Sequence, residues 1–370
     1  MSLEQRLQEI RRESSSDAAG DPERFRRVAL TRTEMMTQGE AIRATLEANA
    51  APLAKIAADL ADRPIRRIAM VGCGDSWISG HGVRHVIERM LGAVCEPCEA
   101  FDFATYGLEV VDAETVVISL SSSGKTEPVI EGMKGAQARG AYAIGLSNTL
   151  GSPLMEEFPG ALHIRATRGG WPTQSSTAAM ALKLALAAAI AEARGKDVSA
   201  LRAALGALPD LVDDVARALY EPARELAARL ARADLVLLAG AGPHYAPAAF
   251  GAAKLKELAP IHAYAFPLEE YHHYRTQKAG DPMFLVAPDA ASHTRAVETA
   301  IMSRGSEGLC IALVPDGETE IAEIADVVWH LPPVAWETAP ILYSVPLHLF
   351  GYHAAVERDA IGLGAPRLGG

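Results

Sequence analysis

The sequence has few cysteines, no excess of positive charge and no long apolar run, and each shortage excludes a class of protein. Four cysteines in 370 residues do not make a disulfide framework, and the C-E-P-C pair of Cys95 and Cys98 lacks the second pair that a zinc site needs. The net charge of −11 argues against nucleic acid or an anionic membrane as partner. No apolar run approaches a membrane span, and the start of the chain lacks the apolar core of a signal peptide. We therefore expect a cytoplasmic protein that binds neither nucleic acid nor membrane.

The most informative segment is Val116–Thr126, which reads V-V-I-S-L-S-S-S-G-K-T. Its apolar part, Val116–Leu120, predicts a buried strand of a parallel sheet. Three serines, a glycine, a lysine and a threonine follow, and then a helix-compatible stretch with Pro128 near its first turn, where proline is tolerated. Hydroxyl and N–H groups therefore gather where a strand ends and a helix begins, which is where an α/β sheet binds anions. We interpret the segment as a phosphate-binding loop.

Two better-known phosphate motifs do not fit this sequence. A Walker A loop needs a glycine five residues before Gly124, and that position is Ser119. A dinucleotide fingerprint after the strand Ile68–Val71 needs a third glycine where Trp77 stands. The remaining alternative is a serine-rich turn that only caps a helix.

Strands and helices alternate along the chain, and the pattern occurs twice. The alternation predicts an α/β fold with doubly wound parallel sheets. Three strand segments recur at an offset of 168 or 167 residues: Leu235–Gly242 on Ile68–Gly74, Met283–Pro288 on Thr115–Leu120, and Cys310–Val314 on Ala143–Ser147. We infer a tandem duplication in which the second half carries A-P-D-A-A-S (Ala287–Ser292) in place of the serine loop. One anion site per chain is expected.

The predicted organisation has four parts. Residues 1–34 form an arm, of which residues 1–30 are expected to be loosely ordered. The first α/β domain, with the phosphate loop, is predicted over residues 35–205, and the second over residues 206–355. Residues 356–370 form a C-terminal tail.

Several motifs together resemble the sugar isomerase (SIS) family. They are the C-G-x-S-x-x-S-G turn of Cys73–Gly80, the L-S-x-S-G-x-T loop of Leu120–Thr126, G-A-A-K-L-K-E at Gly251–Glu257, and I-H-A-Y-A at Ile261–Ala265. The resemblance covers roughly residues 35–367. Within the family, the chain is most similar to the isomerase half of glucosamine-6-phosphate synthases and to fructosamine-6-phosphate deglycases. The resemblance implies two tandem flavodoxin-like domains.

The resemblance also implies a sugar-phosphate site without metal or other cofactor. It implies substrate contacts at Ser76, Ser121, Ser123 and Thr126, at Ser122 (glutamine in the synthases), and at Pro172 and Gln174 on the loop lining the sugar pocket. It implies Glu257 as the base that moves a proton between C1 and C2, Lys254 as the lysine beside it, and His273 as the histidine that helps open the sugar ring. From the residues alone, Glu257 is better explained as an exposed helix glutamate paired with Lys254.

The sequence departs from the synthases in ways that bear on its chemistry. It shows no glutaminase segment, so we expect no use of glutamine as an ammonia source. The tail Pro366–Gly370 lacks the lysine that reacts with the sugar carbonyl in the synthases, and Tyr274 and Arg275 follow His273 where Gly-Pro is frequent. His81 and His85 stand at metal-pair spacing on a predicted helix, but no third ligand is evident.

The function implied is a phosphosugar isomerase or deglycase acting on a phosphorylated amino sugar or ketosamine. Arg275, with its planar guanidinium, suits a substrate carboxylate. An amino-acid conjugate of a sugar phosphate carries such a group, which favours a deglycase. The alternatives are an amino-sugar-phosphate deaminase/isomerase and a non-catalytic sugar-phosphate sensor. Sensors of this family usually carry a DNA-binding arm, whereas the arm here is short and mixed in charge.

The resemblance predicts a homodimer with shared active sites, because His273 and the phosphate loop lie in different halves of the chain. We expect His273 of one protomer to face the Ser121 loop of its partner. Light scattering at micromolar concentration should give the mass of two chains, and the mass of one chain would contradict the prediction.

Overall fold

The computed structural model describes residues 2–12, 22–274 and 276–363. Its strands form two five-stranded sheets. The first sheet contains β1 (Arg67–Gly72), β2 (Val94–Glu99), β3 (Thr115–Leu120), β4 (Tyr142–Ser147) and β5 (Gly160–His163). The second contains β6 (Leu235–Gly240), β7 (His262–Pro267), β8 (Pro282–Val286), β9 (Leu309–Pro315) and β10 (Val327–Leu331).

Both sheets have the same topology. The strand orders are β2-β1-β3-β4-β5 and β10-β9-β8-β6-β7, and every pairing is parallel. In the first sheet, β2 pairs on one side of β1 and the later strands are added on the other side, so the strand order reverses between β1 and β3. In the second sheet, the strand order reverses in the same way between β6 and β8. Ligands of such sheets bind at the carboxyl ends of the strands flanking this point. The predicted fold class and the tandem duplication are confirmed.

Helices cover both sheets and connect the two halves. In chain order they are α1 (Leu3–Arg12), α2 (Pro22–Met36), α3 (Gln38–Ala48), α4 (Ala50–Leu60), α5 (Asp75–Leu91), α6 (Ala100–Tyr106), α7 (Glu127–Ala138), α8 (Pro153–Glu156), α9 (Gln174–Ala193), α10 (Ser199–Ala218), α11 (Tyr220–Arg229), α12 (Tyr245–Leu258), α13 (Leu268–Tyr274), α14 (His293–Gly305), α15 (Glu320–Ile324) and α16 (Ala339–Ala360). Two short 3₁₀ helices lie at Gly107–Val110 and Gly242–His244.

The continuous apolar runs were the reliable signals for strands. All six residues of β3 and of β4 are buried, as expected for central strands covered on both faces. The sequence analysis did not predict β5, β7 or β10. The edge strand β7 exposes His262, Tyr264 and Pro267 along its length, so it gives no continuous apolar run.

The N-terminal region differs from the expectation of a loosely ordered arm. Helix α2 covers Pro22–Met36, and Val28, Thr31 and Glu34 on it are buried. The other predicted boundaries stay predictions. The boundary between residues 205 and 206 falls inside α10, and the one between residues 355 and 356 falls inside α16.

The largest core cluster contains residues of both halves, and leucine, isoleucine, valine and alanine make up most of it. In the part of the chain that the structure describes, one helix, α9, is long and apolar enough to cross a membrane, but 78% of its apolar window is buried inside the molecule. It packs on α3, α4 and α5. Helix α5 of the first half also packs on α12 of the second half, and this contact brings the two halves together.

The turn after the first strand of each half is built alike. A Cβ on Gly72 would lie 2.7 Å from Ser76 Cβ, and one on Gly240 would lie 2.2 Å from the carbonyl oxygen of His244. Both strands therefore end in a residue that must lack a side chain, because the following turn folds back onto it. The two glycines are related by the same offset of 168 residues as the strands.

The same offset pairs Ser76 with His244 and Ser121 with Asp289. In the second half, His244 Nε2 lies 2.7 Å from Asp289 Oδ2, and Ser292 donates to Asp289 Oδ1 from its N–H (2.9 Å) and its hydroxyl (2.8 Å). His244 is fully buried and Asp289 is 25% exposed. The Asp289 carboxylate thus accepts hydrogen bonds from the Ser292 N–H and hydroxyl at this switch point. This supports the expected loss of anion binding in the second half.

This pair should stabilise the second half in a pH-dependent way. The hydrogen bond with His244 holds the pKa of Asp289 well below its ordinary value. Asp289→Asn should lower the free energy of unfolding at pH 7 by about 1–3 kcal/mol, as measured by urea denaturation. Because the folded pKa is depressed, the stabilisation is complete above the unfolded pKa of about 3.9 and is lost as the pH falls through the folded value. The difference between wild type and variant should shrink in acid.

The matched control is Asp316→Asn, because Asp316 is an exposed carboxyl in the neighbouring loop. Its effect on unfolding should stay within about 0.5 kcal/mol. Equal unfolding free energies for Asp289→Asn and wild type at pH 7 would refute the role of the pair.

Candidate functional site

The serine loop connects β3 to α7 and turns its hydroxyls toward one another. Ser121 Oγ lies 2.7 Å from Thr126 Oγ1 and 3.4 Å from Ser123 Oγ, and it accepts a hydrogen bond from Gly124 N–H (3.1 Å). Gly124 has a φ of +65°, and a Cβ there would lie 2.0 Å from Ser152 Oγ, so only glycine fits. The loop therefore gathers three hydroxyls at the first turn of α7, which suits an anion.

A small cavity lies beside this loop. It is lined by Asp75, Ser76, Leu120, Ser122, Asn148, Pro172, Ser175 and Ser176, with a volume of about 40 Å³. Ligand cavities are usually about 300–1,000 Å³, so the wall carrying Pro172 must move outward to admit a sugar phosphate. Three sequence-predicted residues, Ser76, Ser122 and Pro172, line this cavity together.

A buried lysine joins the two halves next to the cavity. Lys254 on α12 is fully buried, and its Nζ donates to Asp75 Oδ2 (2.9 Å) at the start of α5 and to Glu257 Oε2 (2.5 Å). Asp75 Oδ2 also accepts from Ser176 Oγ (3.1 Å). Glu257 is 38% exposed. The Lys254–Glu257 pair is therefore part of a buried charge cluster, not an ordinary surface pair.

Burial sets the charge properties of this cluster. Burial raises the pKa of the Glu257 carboxyl, while the Lys254 ammonium acts in the opposite direction and Asp75 adds to the rise. Burial alone would lower the pKa of Lys254, but Asp75 and Glu257 outweigh it and hold that pKa above its ordinary value. A carboxylate with a raised pKa beside a fixed ammonium is suited to accept and return a proton near neutral pH.

Seven sequence-predicted residues are not part of the cavity lining: Ser121, Ser123, Thr126, Gln174, Lys254, Glu257 and His273. Gln174 is buried and its amide donates to the Thr167 hydroxyl. His273 on α13 is 62% exposed and lies 3.4 Å from Glu269, outside the cavity lining. Arg275 and Pro366–Gly370 lie outside the described residues.

Sequence reasoning missed Asp75 and Asn148. Asp75 comes soon after the end of β1, and Asn148 comes directly after β4. Both therefore stand at the carboxyl end of a strand, and this position was the sequence signal that could have found them. Asn148 accepts from Ser122 Oγ (3.1 Å) and donates to Ser175 Oγ (3.0 Å). It thereby ties the serine loop to the start of α9.

The loop 165–173 forms the outer wall of the cavity and is fastened by α2. Glu34 accepts from the Thr167 hydroxyl (2.7 Å) and from the N–H groups of Gly169 (2.7 Å) and Gly170 (3.3 Å). Arg168 on the same loop donates to the carbonyl of Ser122 (3.2 Å). The loop 165–173 is thus hydrogen-bonded both to α2 and to the serine loop.

Other candidate sites from the sequence have structural roles. His81 packs edge-on against Trp77 and Tyr245, and burial lowers its pKa to about 4. His85 lies 3.2 Å from Glu88. Cys95 and Cys98 are free thiols. Among the residues described, no three His, Cys, Asp or Glu side chains are grouped to hold a metal ion.

A larger concavity of about 570 Å³ lies between α4, α9 and α10. Its lining is mostly alanine and leucine, with Glu192 and Arg202 at its polar end. These two side chains are bonded to each other at 2.5 Å. Without convergent polar groups it lacks the features of a sugar-phosphate site, so we place the site at the smaller cavity.

Comparisons with known proteins identify the family to which the chain is similar. A family model described as SIS domain matches residues 63–193 and 229–358. The chain is 31% identical over 310 residues to the glutamine–fructose-6-phosphate aminotransferase (isomerizing) of Mycobacterium bovis, covering 80% of this chain and 49% of that protein. For the enzyme of Chlorobaculum tepidum the identity is 28% over 299 residues, covering 79% and 48%. The chain spans about half the length of the curated relatives it matches.

Solved structures share the fold. The C-terminal domain of glucosamine-fructose-6-phosphate aminotransferase from Francisella tularensis superposes with a TM-score of 0.78 at 21% identity, covering 89% of this chain and 96% of that one. Tagatose-6-phosphate ketose/aldose isomerase from Escherichia coli gives 0.73 at 17% identity, covering 88% and 92%. At these identities the likeness shows the fold alone.

The serine loop generates the first prediction about binding. Each hydrogen bond to a phosphate dianion is charge-assisted and contributes about 1.5–3 kcal/mol. Changing Ser121 and Ser123 together to alanine should therefore weaken sugar-phosphate binding at least about tenfold while the protein still folds. Calorimetry with glucosamine 6-phosphate and fructose 6-phosphate measures this.

Ser199→Ala is the matched control, because Ser199 is an exposed serine at the start of another helix, α10. It should bind like wild type. Unchanged affinity in the Ser121/Ser123 double variant would exclude the loop as the phosphate site.

Proposed function

The chain belongs to the SIS domain family, and we propose that it is a phosphosugar isomerase or deglycase that acts on a phosphorylated amino sugar or ketosamine. The single observation that carries the proposal is the Asp75–Lys254–Glu257 cluster beside the serine loop. Asp75 lines the cavity beside the serine loop, and Glu257, whose pKa burial raises, is linked to Asp75 through Lys254. This linkage supports a base close to a phosphate-binding turn. A base and a phosphate anchor are the two elements that a sugar-phosphate proton transfer requires.

The phosphate group anchors the substrate at one end of the site. The hydroxyls of Ser121, Ser123 and Thr126, with Ser76 and Ser122 at the cavity, hold it through hydroxyl and N–H donors at the start of α7. The chain carries net charge −11, so these local dipoles and Arg168 supply the attraction that the overall field lacks. Pro172 belongs to the wall that encloses the sugar, and Gln174 supports that wall through its hydrogen bond to Thr167.

Glu257 moves the proton at the other end. With a ketosamine 6-phosphate, its carboxylate removes a proton from C1 to give an enaminol, and the proton returns at C2 to leave an imine at C1. Water then adds to the imine, and the amine leaves, so one ketosamine and one water give one aldose 6-phosphate and one amine. Lys254 keeps Glu257 in place and provides positive charge beside the developing enaminol oxygen.

The same proton transfer serves an amino-sugar-phosphate deaminase/isomerase, which remains the second candidate. Both reactions move a proton between C1 and C2, and they differ in whether the nitrogen stands on C1, as in a ketosamine, or on C2, as in a 2-amino sugar. His273 lies on α13, away from the cavity of its own chain. The proposal therefore includes a homodimer in which the partner's His273 assists ring opening.

Glu257→Gln tests the chemistry because glutamine keeps the shape and removes the basicity. Turnover should fall by about 10²–10⁴-fold while phosphate-anchored binding changes little. Since burial raises the pKa of Glu257, wild-type kcat/KM should fall as the pH drops through a value above that of an ordinary glutamate. Recovered substrate from heavy water should carry deuterium at C1 or C2.

The assay monitors release of amine or ammonia from a panel of phosphorylated ketosamines and amino sugars. Glu131→Gln is the matched control, because it makes the same change at an exposed position on α7. It should leave turnover unchanged. Wild-type-like turnover in Glu257→Gln would rule out Glu257 as the base. No turnover by wild type on the whole panel would favour the sugar-phosphate sensor.

A further inference from the structure

Helix α9 buries a second lysine, which lies in the first half and has no part in the proton transfer. Lys183 is 1% exposed, and its Nζ donates to Ser79 Oγ on α5 at 2.7 Å. Within the described residues, no carboxylate is paired with this ammonium group, whereas Lys254 is bonded to two. A buried charge without a partner is costly. An anion that binds nearby therefore gains a pairing that the chain itself does not supply.

We propose that Lys183 is a positioning residue for the sugar phosphate: its charge acts through Ser79 on the turn that carries Ser76 and balances the phosphate from inside the protein. This inference rests on the proposed function of the site. Lys183 does not touch the substrate. It determines how tightly the phosphate is held and how that affinity depends on pH.

A continuous chain of hydrogen bonds joins Lys183 to the cavity. The Ser79 hydroxyl accepts from Lys183 Nζ and donates to the carbonyl oxygen of Ser76, each over 2.7 Å. Ser79 is fully buried, and Ser76 lines the cavity together with Ser122 of the serine loop. Two hydrogen bonds thus separate the ammonium group from a residue of the proposed phosphate site.

The charge of Lys183 adds to the field that the backbone already produces at this turn. Ser76 lies in the first turn of α5, where unpaired N–H groups and the helix dipole favour an anion. The Asp75 carboxylate of the same turn is already paired with Lys254. Because Lys183 is buried, dissolved ions screen its charge much less than that of a surface lysine. A phosphate at the cavity therefore interacts with a second, fixed source of positive charge.

The titratable groups around Lys183 do not neutralise it. They are His81 on α5 and Cys95 on β2, and both are uncharged at pH 7, because burial lowers the pKa of His81 to about 4 and raises that of Cys95 to about 12. The charged groups that act on Cys95 from α5 are Arg84 and Glu88, which lie 4.0 Å apart as an ion pair. This leaves the bound phosphate as the counter-charge of Lys183.

Protonation of Lys183 decides whether the chain of hydrogen bonds is complete. Burial lowers the pKa of Lys183 to about 7, so the free protein holds part of it as the neutral amine at neutral pH. A neutral amine can accept from the Ser79 hydroxyl, which then no longer donates to Ser76. A bound phosphate dianion favours the ammonium form and raises this pKa. Phosphate binding should therefore take up a proton above pH 7, and the affinity should fall as the pH rises above that value.

Calorimetry with fructose 6-phosphate tests the inference, because this probe has no amine of its own to titrate. Titrations between pH 7 and pH 9, in buffers of different ionisation enthalpy, give both the Kd and the number of protons taken up. Wild type should take up more than about half a proton at pH 8, and its affinity should fall about tenfold between pH 7 and pH 9.

Lys183→Met keeps an apolar side chain in the core and removes the charge. It should bind fructose 6-phosphate about tenfold more weakly than wild type at pH 7, with no proton uptake and no further loss of affinity up to pH 9. Ser79→Ala interrupts the chain of hydrogen bonds and should also weaken binding at pH 7. A lysine that only fills the core would change the free energy of unfolding and leave proton uptake as it is.

Lys196→Met is the matched control, because Lys196 is an exposed lysine just after the end of α9. It should bind the probe and take up protons as wild type does. If Lys183→Met fails to fold, Ser79→Ala and the proton uptake of wild type decide the question in the same way.

The outcomes separate this inference from the proposed function. Proton uptake that Lys183→Met abolishes supports the inference, even if wild type turns over no compound of the panel and the proposed function fails. Wild-type affinity and proton uptake in Lys183→Met, or no proton uptake by wild type at pH 8, overturn the inference, while turnover of the panel would leave the proposed function standing. Absence of fructose 6-phosphate binding by wild type overturns the inference as well.

Discussion

The buried ammonium group of Lys254 is the constraint on which the site depends. A charge removed from water costs several kcal/mol unless it is paired, and removing one partner of a buried pair costs about 3–5 kcal/mol. Its two partners come from different places: Glu257 from the same helix α12 and Asp75 from the start of α5 in the other half. The lysine therefore fixes how the halves meet and at the same time holds the proposed base beside the phosphate loop.

The two halves have the same sheet topology, but they contribute different residues to the candidate site. At the switch point of the first sheet, the Ser121 hydroxyl contacts the hydroxyls of Ser123 and Thr126, and no carboxylate among the described residues is bonded to it. At the equivalent positions of the second sheet, Asp289 takes the donors of Ser292 and pairs with His244. The Asp289 carboxylate therefore accepts the hydrogen bonds that a bound anion would need. The second half contributes instead through α12, which carries Lys254 and Glu257.

Helix α2 holds the wall of the cavity from outside both sheets. Glu34 accepts three hydrogen bonds from the loop 165–173, and Arg168 of that loop is bonded to the serine loop. The cavity behind this wall has a volume of about 40 Å³. A segment that composition alone presented as a charged arm thus supports the wall of this cavity.

The sequence by itself determined the elements whose signals are local. Apolar runs such as Val116–Leu120 specify buried strands, and their recurrence at a nearly constant offset specifies the duplication. The serine loop predicts an anion-binding turn. Edge strands such as β7 escaped because they are exposed along much of their length. Asp75 is remote in sequence from Lys254, and only the packing of α5 on α12 makes the two residues partners. Likewise, only the folded chain brings Glu34 on α2 to the loop that carries Pro172. Such contacts depend on how helices from the two halves pack, and the pairing of a buried charge leaves no periodic signal in the chain.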